Sequence, residues 1–199
     1  MLYNSSVGRI RGFDVEEALD VALDMFWEQG YEATSLQDLS RALGLGRGSM
    51  YGAFGSKEGI YQAALERYRQ DLAGPMLRAL AEGADIRATL RGLFGGLVDD
   101  AVADERRRGC MVVNAATERV PRDPATSRTV RDVLQTIEDA ITAALSAAQD
   151  RGELAAGKDP RALAGYFVLF LNGLRVAAKT NPERAALMRS VEVALTVLE

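Results

Sequence analysis

The sequence predicts an all-α protein, with an N-terminal three-helix unit over residues 1–56 and a larger helical unit over residues 57–199, about nine helices in all. Three observations carry that prediction. Apolar residues recur at three- and four-residue spacing through most of the chain. Helix starts are spelled out at Asp123-Pro124, Asp159-Pro160 and Asn181-Pro182, each a good N-cap before a proline suited to the first helical position. Only 5 prolines and no long linker or repeat interrupt the pattern.

The first helix spans Phe13 to Gln29, with Asp14 as its cap and Val15, Ala18, Leu19, Ala22 and Phe26 as its inward stripe. Trp27 is expected to pack in the same small core. A second helix follows, started by a Thr34-x-x-Gln37 capping box, with Leu36, Leu39 and Leu43 facing inward. Gly44-Leu45-Gly46 stops it, because glycine takes the left-handed backbone of a tight turn without strain. The third helix, Arg47 to Phe54, is barely two turns long, with Met50 and Phe54 as anchors. It leaves Arg47, Gly48, Ser49, Tyr51 and Gly52 outside, a small face rich in donors. Helix, glycine turn and a second helix with such a face make a helix-turn-helix, a motif built to enter the major groove.

The run from Phe26 to Lys57 resembles the DNA-binding domain of the tetracycline-repressor (TetR) family. The matching features are the Gly30-Tyr31 break, Ala33-Thr34-Ser35, Leu43-Gly44-Leu45, Ser49-Met50-Tyr51 and Phe54-Gly55-Ser56-Lys57-Glu58. The resemblance covers roughly the first third of the chain by motif. It implies a homodimeric transcriptional regulator, most often a repressor, that binds a palindromic operator in double-stranded DNA and is released by a small-molecule effector. On chemistry, Arg47 suits bidentate contact with guanine, and Ser49 can donate to a base or phosphate. Gly48 leaves room for close approach, and Thr34, Ser35, Gln37 and Lys57 lie at helix starts suited to phosphates. The resemblance puts Tyr51 and Lys57 on common phosphate-contact positions. It departs at Gly52 and Ala53, where the family usually carries a bulky residue. Affinity is then expected to lean on Arg47 and on Arg9 or Arg11.

A fourth helix is expected from Ser56-Lys57 to about Ala73, with Ile60, Ala64, Leu65, Tyr68 and Leu72 inward. Asp85 caps a helix to about Glu105, and Arg106 to Gly109 break it before a short helix from Cys110 to Arg119. Pro124 to Asp150 carries the stripe Val130, Val133, Leu134, Ile137, Ile141 and Leu145. The last two helices are apolar on more than one face: Leu163, Phe167, Phe170, Leu171 and Leu174 make a main stripe, and Tyr166, Val168 and Leu169 extend it. Such helices must bury more than one face, and a second subunit is the expected cover. The resemblance implies that these two helices form a four-helix dimer interface.

Composition excludes several classes. The chain has no histidine and 1 cysteine, so no Ser-His-Asp or Cys-His triad and no zinc site of nitrogen and sulfur ligands can be built. No cofactor, metal or catalytic group is expected, and carboxylates without a phosphate loop make an enzyme a weak reading. The N-terminus lacks the apolar core of a signal peptide, and Ala162 to Ala178 is short and interrupted by Asn172 and Arg175. A cytoplasmic protein without a membrane partner is expected. The net charge of −4 looks adverse to nucleic acid, yet Ala33 to Lys57 holds Arg41, Arg47 and Lys57 against Asp38 alone. Contact-surface charge governs phosphate neutralisation, so a small basic edge on an acidic protein remains compatible with DNA.

An effector pocket is expected among Phe94, Met111, Leu134, Ile137, Phe167 and Phe170, with Leu80, Leu97 and Leu171 as further wall residues. Asn114 and Arg175 are its polar anchors, with Lys179 a further one, and Arg175 facing in would suit an anionic effector. Cys110 follows three arginines at a helix start, a setting that favours thiolate and hence an oxidant or electrophile sensor. Its alternative is a small buried hydrophobe. The remaining alternative is a helical interaction module that binds no DNA.

Overall fold

A computed structural model describes residues 14–199, the Arg47 side chain excepted. The described residues form nine α-helices and no strand, and they divide into two compact units with the boundary between Tyr68 and Arg69. Unit 1 contains α1 (Val15–Gln29), α2 (Leu36–Leu43), α3 (Arg47–Phe54) and the first half of α4 (Lys57–Glu82). The sequence boundary at residues 56 and 57 falls at the start of α4. The unit reaches Tyr68 because Ile60, Tyr61, Ala64 and Leu65 on α4 belong to its core.

That core is small and aromatic. Phe26 and Tyr61 meet edge to face at 5.1 Å, and Tyr31 packs on Tyr61 at 5.0 Å. Ala18, Ala22, Leu39 and Met50 close it, and Trp27 lies half-buried with its ring edge-on to Tyr68 at 4.9 Å. Asp14 caps α1 by accepting from the Glu16 N–H. The Arg67 guanidinium on α4 reaches Glu16 at 2.8 Å and Asp20 at 3.3 Å on α1, engaging part of that helix's acidic face.

Three expectations are corrected. The cap of α2 is Ser35, one residue later than the Thr34-x-x-Gln37 pattern, and its partner is Asp38. Ser35 Oγ accepts from the Asp38 N–H at 3.1 Å while Asp38 accepts from the Ser35 N–H at 3.2 Å. Asp38 takes the place of Gln37 because a cap at Ser35 makes Asp38 the third helical residue, whose side chain reaches back to the cap. Second, α4 runs through Pro75 to Glu82 instead of stopping near Ala73. A proline inside a helix costs about 3 kcal/mol, here offset by burial of Ala73, Met76 and Leu80 on the same helix. Third, α9 starts at Arg184, not Pro182; Asn181 instead ends α8, its N–H bonded to Ala177 O at 2.9 Å.

Unit 2 holds α5 (Ile86–Ala103), α6 (Met111–Glu118), α7 (Pro124–Asp150), α8 (Pro160–Thr180) and α9 (Arg184–Leu195), with a closing 3₁₀ turn at Thr196–Leu198. Asp123 and Asp159 cap α7 and α8 by accepting from backbone N–H groups of the first turn, and Pro124 and Pro160 stand where the missing N–H is harmless. α8 packs on α7 and α5, α9 on α5, and α6 on α7. The core joins Leu90 and Phe94 of α5, Met111 of α6, Ile137, Ile141 and Leu145 of α7, Phe167 and Leu171 of α8, and Val191 and Leu195 of α9. α8 extends over 21 residues and is long and apolar enough to cross a membrane by length and composition only; its inner side is committed to this core.

Candidate nucleic-acid interface

The turn between α2 and α3 is over-determined. Gly44 ends α2 at φ 63°, a left-handed backbone that favours glycine. The Leu45 N–H returns to Ser40 O at 3.1 Å, and Ser40 Oγ donates to Leu45 O, so the turn is stapled twice. Gly46 then starts α3, accepting from the N–H groups of Ser49 at 3.0 Å and Met50 at 3.2 Å. Met50, 1% exposed, anchors α3 to the unit's core, with Phe54 half-buried one turn later.

With Met50 inward, Gly48, Ser49, Tyr51 and Gly52 are exposed together. A Cβ on Gly48 or Gly52 would meet nothing within 4 Å, so this face is flat and open. Tyr51 stands out of it at 48% exposure. Arg47 occupies the first position of α3; its side chain, like Arg9 and Arg11, lies outside the described residues. Gln37 is exposed on the first turn of α2, and Ser35 precedes it. The Ser35 hydroxyl already serves the α2 cap, donating to Asp38 while accepting its N–H. Asp38 is held below its ordinary carboxylate range chiefly by that hydroxyl, then by the Ser35 N–H.

Thr34 does not belong to the interface. It is fully buried, and its hydroxyl donates to Gly30 O at 2.7 Å, tying the α1–α2 connection closed. Lys57, at the start of α4, holds its ammonium 4.1 Å over the Tyr31 ring, a cation–π contact that orients it. Tyr31 is thus a positioning residue that residue-by-residue assignment missed. Its signal was the Gly30-Tyr31 break, where Gly30 at φ 84° turns the chain and brings the ring across.

In unit 2 the expected effector residues separate into three groups. Phe94, Met111, Ile137 and Phe167 are core residues at 1% exposure or less, whereas Leu134 and Phe170 are only half-buried. Cys110 is a free thiol, buried at the start of α6. Asn114 donates to Arg108 O at 3.0 Å and faces the Lys179 ammonium at 3.4 Å. Arg175 is 8% exposed, and neither Nη1 nor Nη2 has a protein acceptor. An open groove of about 530 Å³ between α8 and α9 is lined by Tyr166, Phe170, Ala186, Arg189, Ser190, Val193 and Ala194 and takes in only Phe170 of the expected set. Among the described residues no group of three metal-ligating side chains exists.

A stapled turn that presents a short, open helix is the geometry of a helix-turn-helix. The comparisons agree. The family described as bacterial regulatory proteins, tetR family, matches residues 18–64, and the tetracyclin repressor-like C-terminal domain matches residues 86–194. An HTH-type transcriptional regulator of Bacillus subtilis, YezE, is 32% identical over 97% of this chain and 100% of its own length. The HTH-type transcriptional repressor ComR of Escherichia coli is 30% identical over 97% of this chain and 91% of its own. A solved structure of a cysteine-substituted TetR family regulator, CifR, on 26-base-pair operator DNA superposes with a TM-score of 0.87 at 33% identity, covering 96% of this chain and 100% of that one. The chain belongs to the TetR family of bacterial regulatory proteins and is a DNA-binding transcriptional regulator.

Proposed function

We propose that the chain is a cytoplasmic homodimeric repressor that reads a palindromic operator with α3 of each protomer and lets go when a small molecule binds in unit 2. It performs no catalytic step. The observation that carries the reading is the outer face of α8. Tyr166, Leu169 and Val176 are 39%, 74% and 51% exposed, and Val193 of α9 is 69% exposed. At 100° per residue these α8 positions share the side opposite Leu171 and Ala178. An apolar strip of this kind on two adjacent helices suits an isologous contact with its own copy. Such a two-fold dimer sets two α3 helices about one DNA turn, roughly 34 Å, apart.

The DNA contacts follow the chemistry of the open face. Arg47 reads guanine, Ser49 and Tyr51 bond base or phosphate, Gly48 and Gly52 admit the backbone, and Gln37 and Lys57 hold phosphates. Ser35 contributes through its position at the α2 start, its hydroxyl being committed to the cap. α4 runs unbroken from Lys57 to Glu82 and carries buried residues on both sides of Tyr68, which supports it as the route by which an effector acts on α3. The repressor names borne by the relatives and the operator complex of CifR support this reading.

The test is footprinting of the DNA flanking the chain's own gene, with the wild type and with Arg47→Ala. Protection of a palindrome that Arg47→Ala abolishes supports the reading; protection unchanged by Arg47→Ala, or of a single half-site, overturns the dimeric assignment of α3.

A further inference from the structure

Among the described residues, α8 carries buried polar side-chain atoms that its own fold leaves without partners. Asn172, Arg175 and Lys179 stand at i, i+3 and i+7 and form one row beside the buried stripe of Val168, Leu171 and Ala178. Lys179 ends the row. A Cβ on Gly109 would come within 3.1 Å of its stem, and its ammonium faces Asn114 of α6. The row therefore leads to the first turn of α6, whose cap residue Cys110 offers that turn no side-chain acceptor.

Arg175 sits in this row with both Nη atoms buried and without a protein acceptor, and Asn172 Oδ1 is buried without a donor. Other sheltered arginines are matched: Arg108 by Asp104 at 3.2 Å and Arg119 by Asp123 at 3.3 Å, each four residues away. α8 contains no Asp or Glu at all. A guanidinium cannot lose its proton to escape burial, so an unmatched one is held against a steep desolvation penalty. Such a group calls for an acceptor that the chain itself does not supply, a ligand or a bound water.

We propose that Arg175 binds the carboxylate of a small organic acid in unit 2, fork to fork, with the acid's apolar body against the core side chains beside it. This rests on reading unit 2 as the effector unit and gives the effector its chemistry. One guanidinium, on a helix whose Val168, Leu171 and Leu174 are buried, balances a single negative charge. A phosphate would bring a second charge, and Lys179, exposed and turned to Asn114, is not placed to share it. Asn172 Oδ1, one turn away, complements a hydroxyl or N–H on the same ligand.

The test is calorimetric titration of the full chain with benzoate and hexanoate, beside benzamide, hexanol and inorganic phosphate, at fixed ionic strength. The carboxylates are expected to bind saturably and to raise Tm, and the neutral counterparts to do neither. Arg175→Met should weaken carboxylate binding about thirtyfold or more, the loss expected for one partner of a buried charge-assisted pair. It should also be more heat-stable than the ligand-free wild type, since it removes an unmatched charge and keeps the volume. Arg175→Lys, which keeps charge without the fork, should bind at least several-fold more weakly than wild type and serves if Arg175→Met fails to fold. No carboxylate binding, binding untouched by either variant, or binding of phosphate alone overturns the site. Operator affinity is measured on the same samples. Carboxylate binding with unchanged operator affinity supports the site and overturns the effector role; operator binding without carboxylate binding overturns the site and leaves the regulator standing.

Discussion

The two units leave opposite kinds of chemistry unfinished. Among the described residues, unit 1 satisfies its own interior: Thr34 is buried but bonded, the α2 cap is reciprocal, and the α2–α3 turn is stapled twice. What it exposes is polar, flat and open, the face of Gly48, Ser49, Tyr51 and Gly52. Unit 2 buries a charge it does not pair, at Arg175, and exposes apolar side chains it does not cover, at Leu169 and Val193. A polar open face suits a hydrated, charged partner such as a groove. An apolar strip and a lone buried cation instead call for a protein surface and a small anion. In the function we propose, one unit reads and the other is completed by what it binds.

The largest expected effect comes from the apolar strip. Leu169→Glu adds a charge at a position 74% exposed in the single chain, so folding of the protomer is expected to be spared. In a dimer through α8 and α9 the same carboxylate is buried without a partner, at about 3–5 kcal/mol per unpaired charge. Sedimentation should show monomers, and operator affinity should fall with the loss of the second reading head. A Leu169→Glu protein that stays dimeric removes the contrast between the two units and moves the interface elsewhere.

The next effect sharpens the claim that the open face of α3 is open for a reason. Arg47→Ala is expected to cost about 1–3 kcal/mol of operator binding and to relax preference at one base position. Gly48→Ala acts in the opposite sense on stability. Helical backbone with empty space around the new methyl favours alanine by about 0.5–1 kcal/mol, and nothing lies within 4 Å of that methyl. Thermal denaturation should show Gly48→Ala more stable while gel-shift titration shows weaker binding. Unchanged binding would mean that Gly48 does not face the DNA.

Most of unit 1 was legible because turns and caps are local chemistry. Gly44, Gly46 and the bounds of α3 follow from neighbours within a few residues. The cap of α2 falls one residue later than Thr34 for reasons that are local too: the Thr34 hydroxyl bonds back to Gly30 O, and Ser35 forms the reciprocal box with Asp38. The α4 end was misplaced near Ala73 because the local cost of Pro75 is visible in sequence, whereas burial of Met76 and Leu80 is not. Phe94, Ile137 and Phe167 were recognisable as inward by spacing, but spacing cannot separate a packed core from a lined cavity. The sequence offers Arg175 only as an expected polar anchor; that its Nη1 and Nη2 are buried without a protein acceptor is a property of three dimensions. Cys110, placed beside arginines by sequence, is buried, so its alkylation in the native chain is expected to be slow relative to the unfolded chain.

The smallest effect separates capping from contact within α2. Ser35→Ala removes a side-chain cap and should lower stability by about 1 kcal/mol, whereas Gln37→Ala, exposed and outside the cap, should leave Tm unchanged and weaken operator binding alone. The Ser35 hydroxyl and N–H hold Asp38 below its ordinary carboxylate value. A depressed folded value means that the contribution is present above the unfolded pKa of Asp38 and is lost as pH falls through the folded one. Denaturant titrations across that acid range should therefore show a slightly steeper acid loss for wild type than for Asp38→Asn. If Gln37→Ala lowers Tm as much as Ser35→Ala, the α2 start is a structural element throughout, and phosphate contact there falls to Lys57, which Tyr31 holds in place.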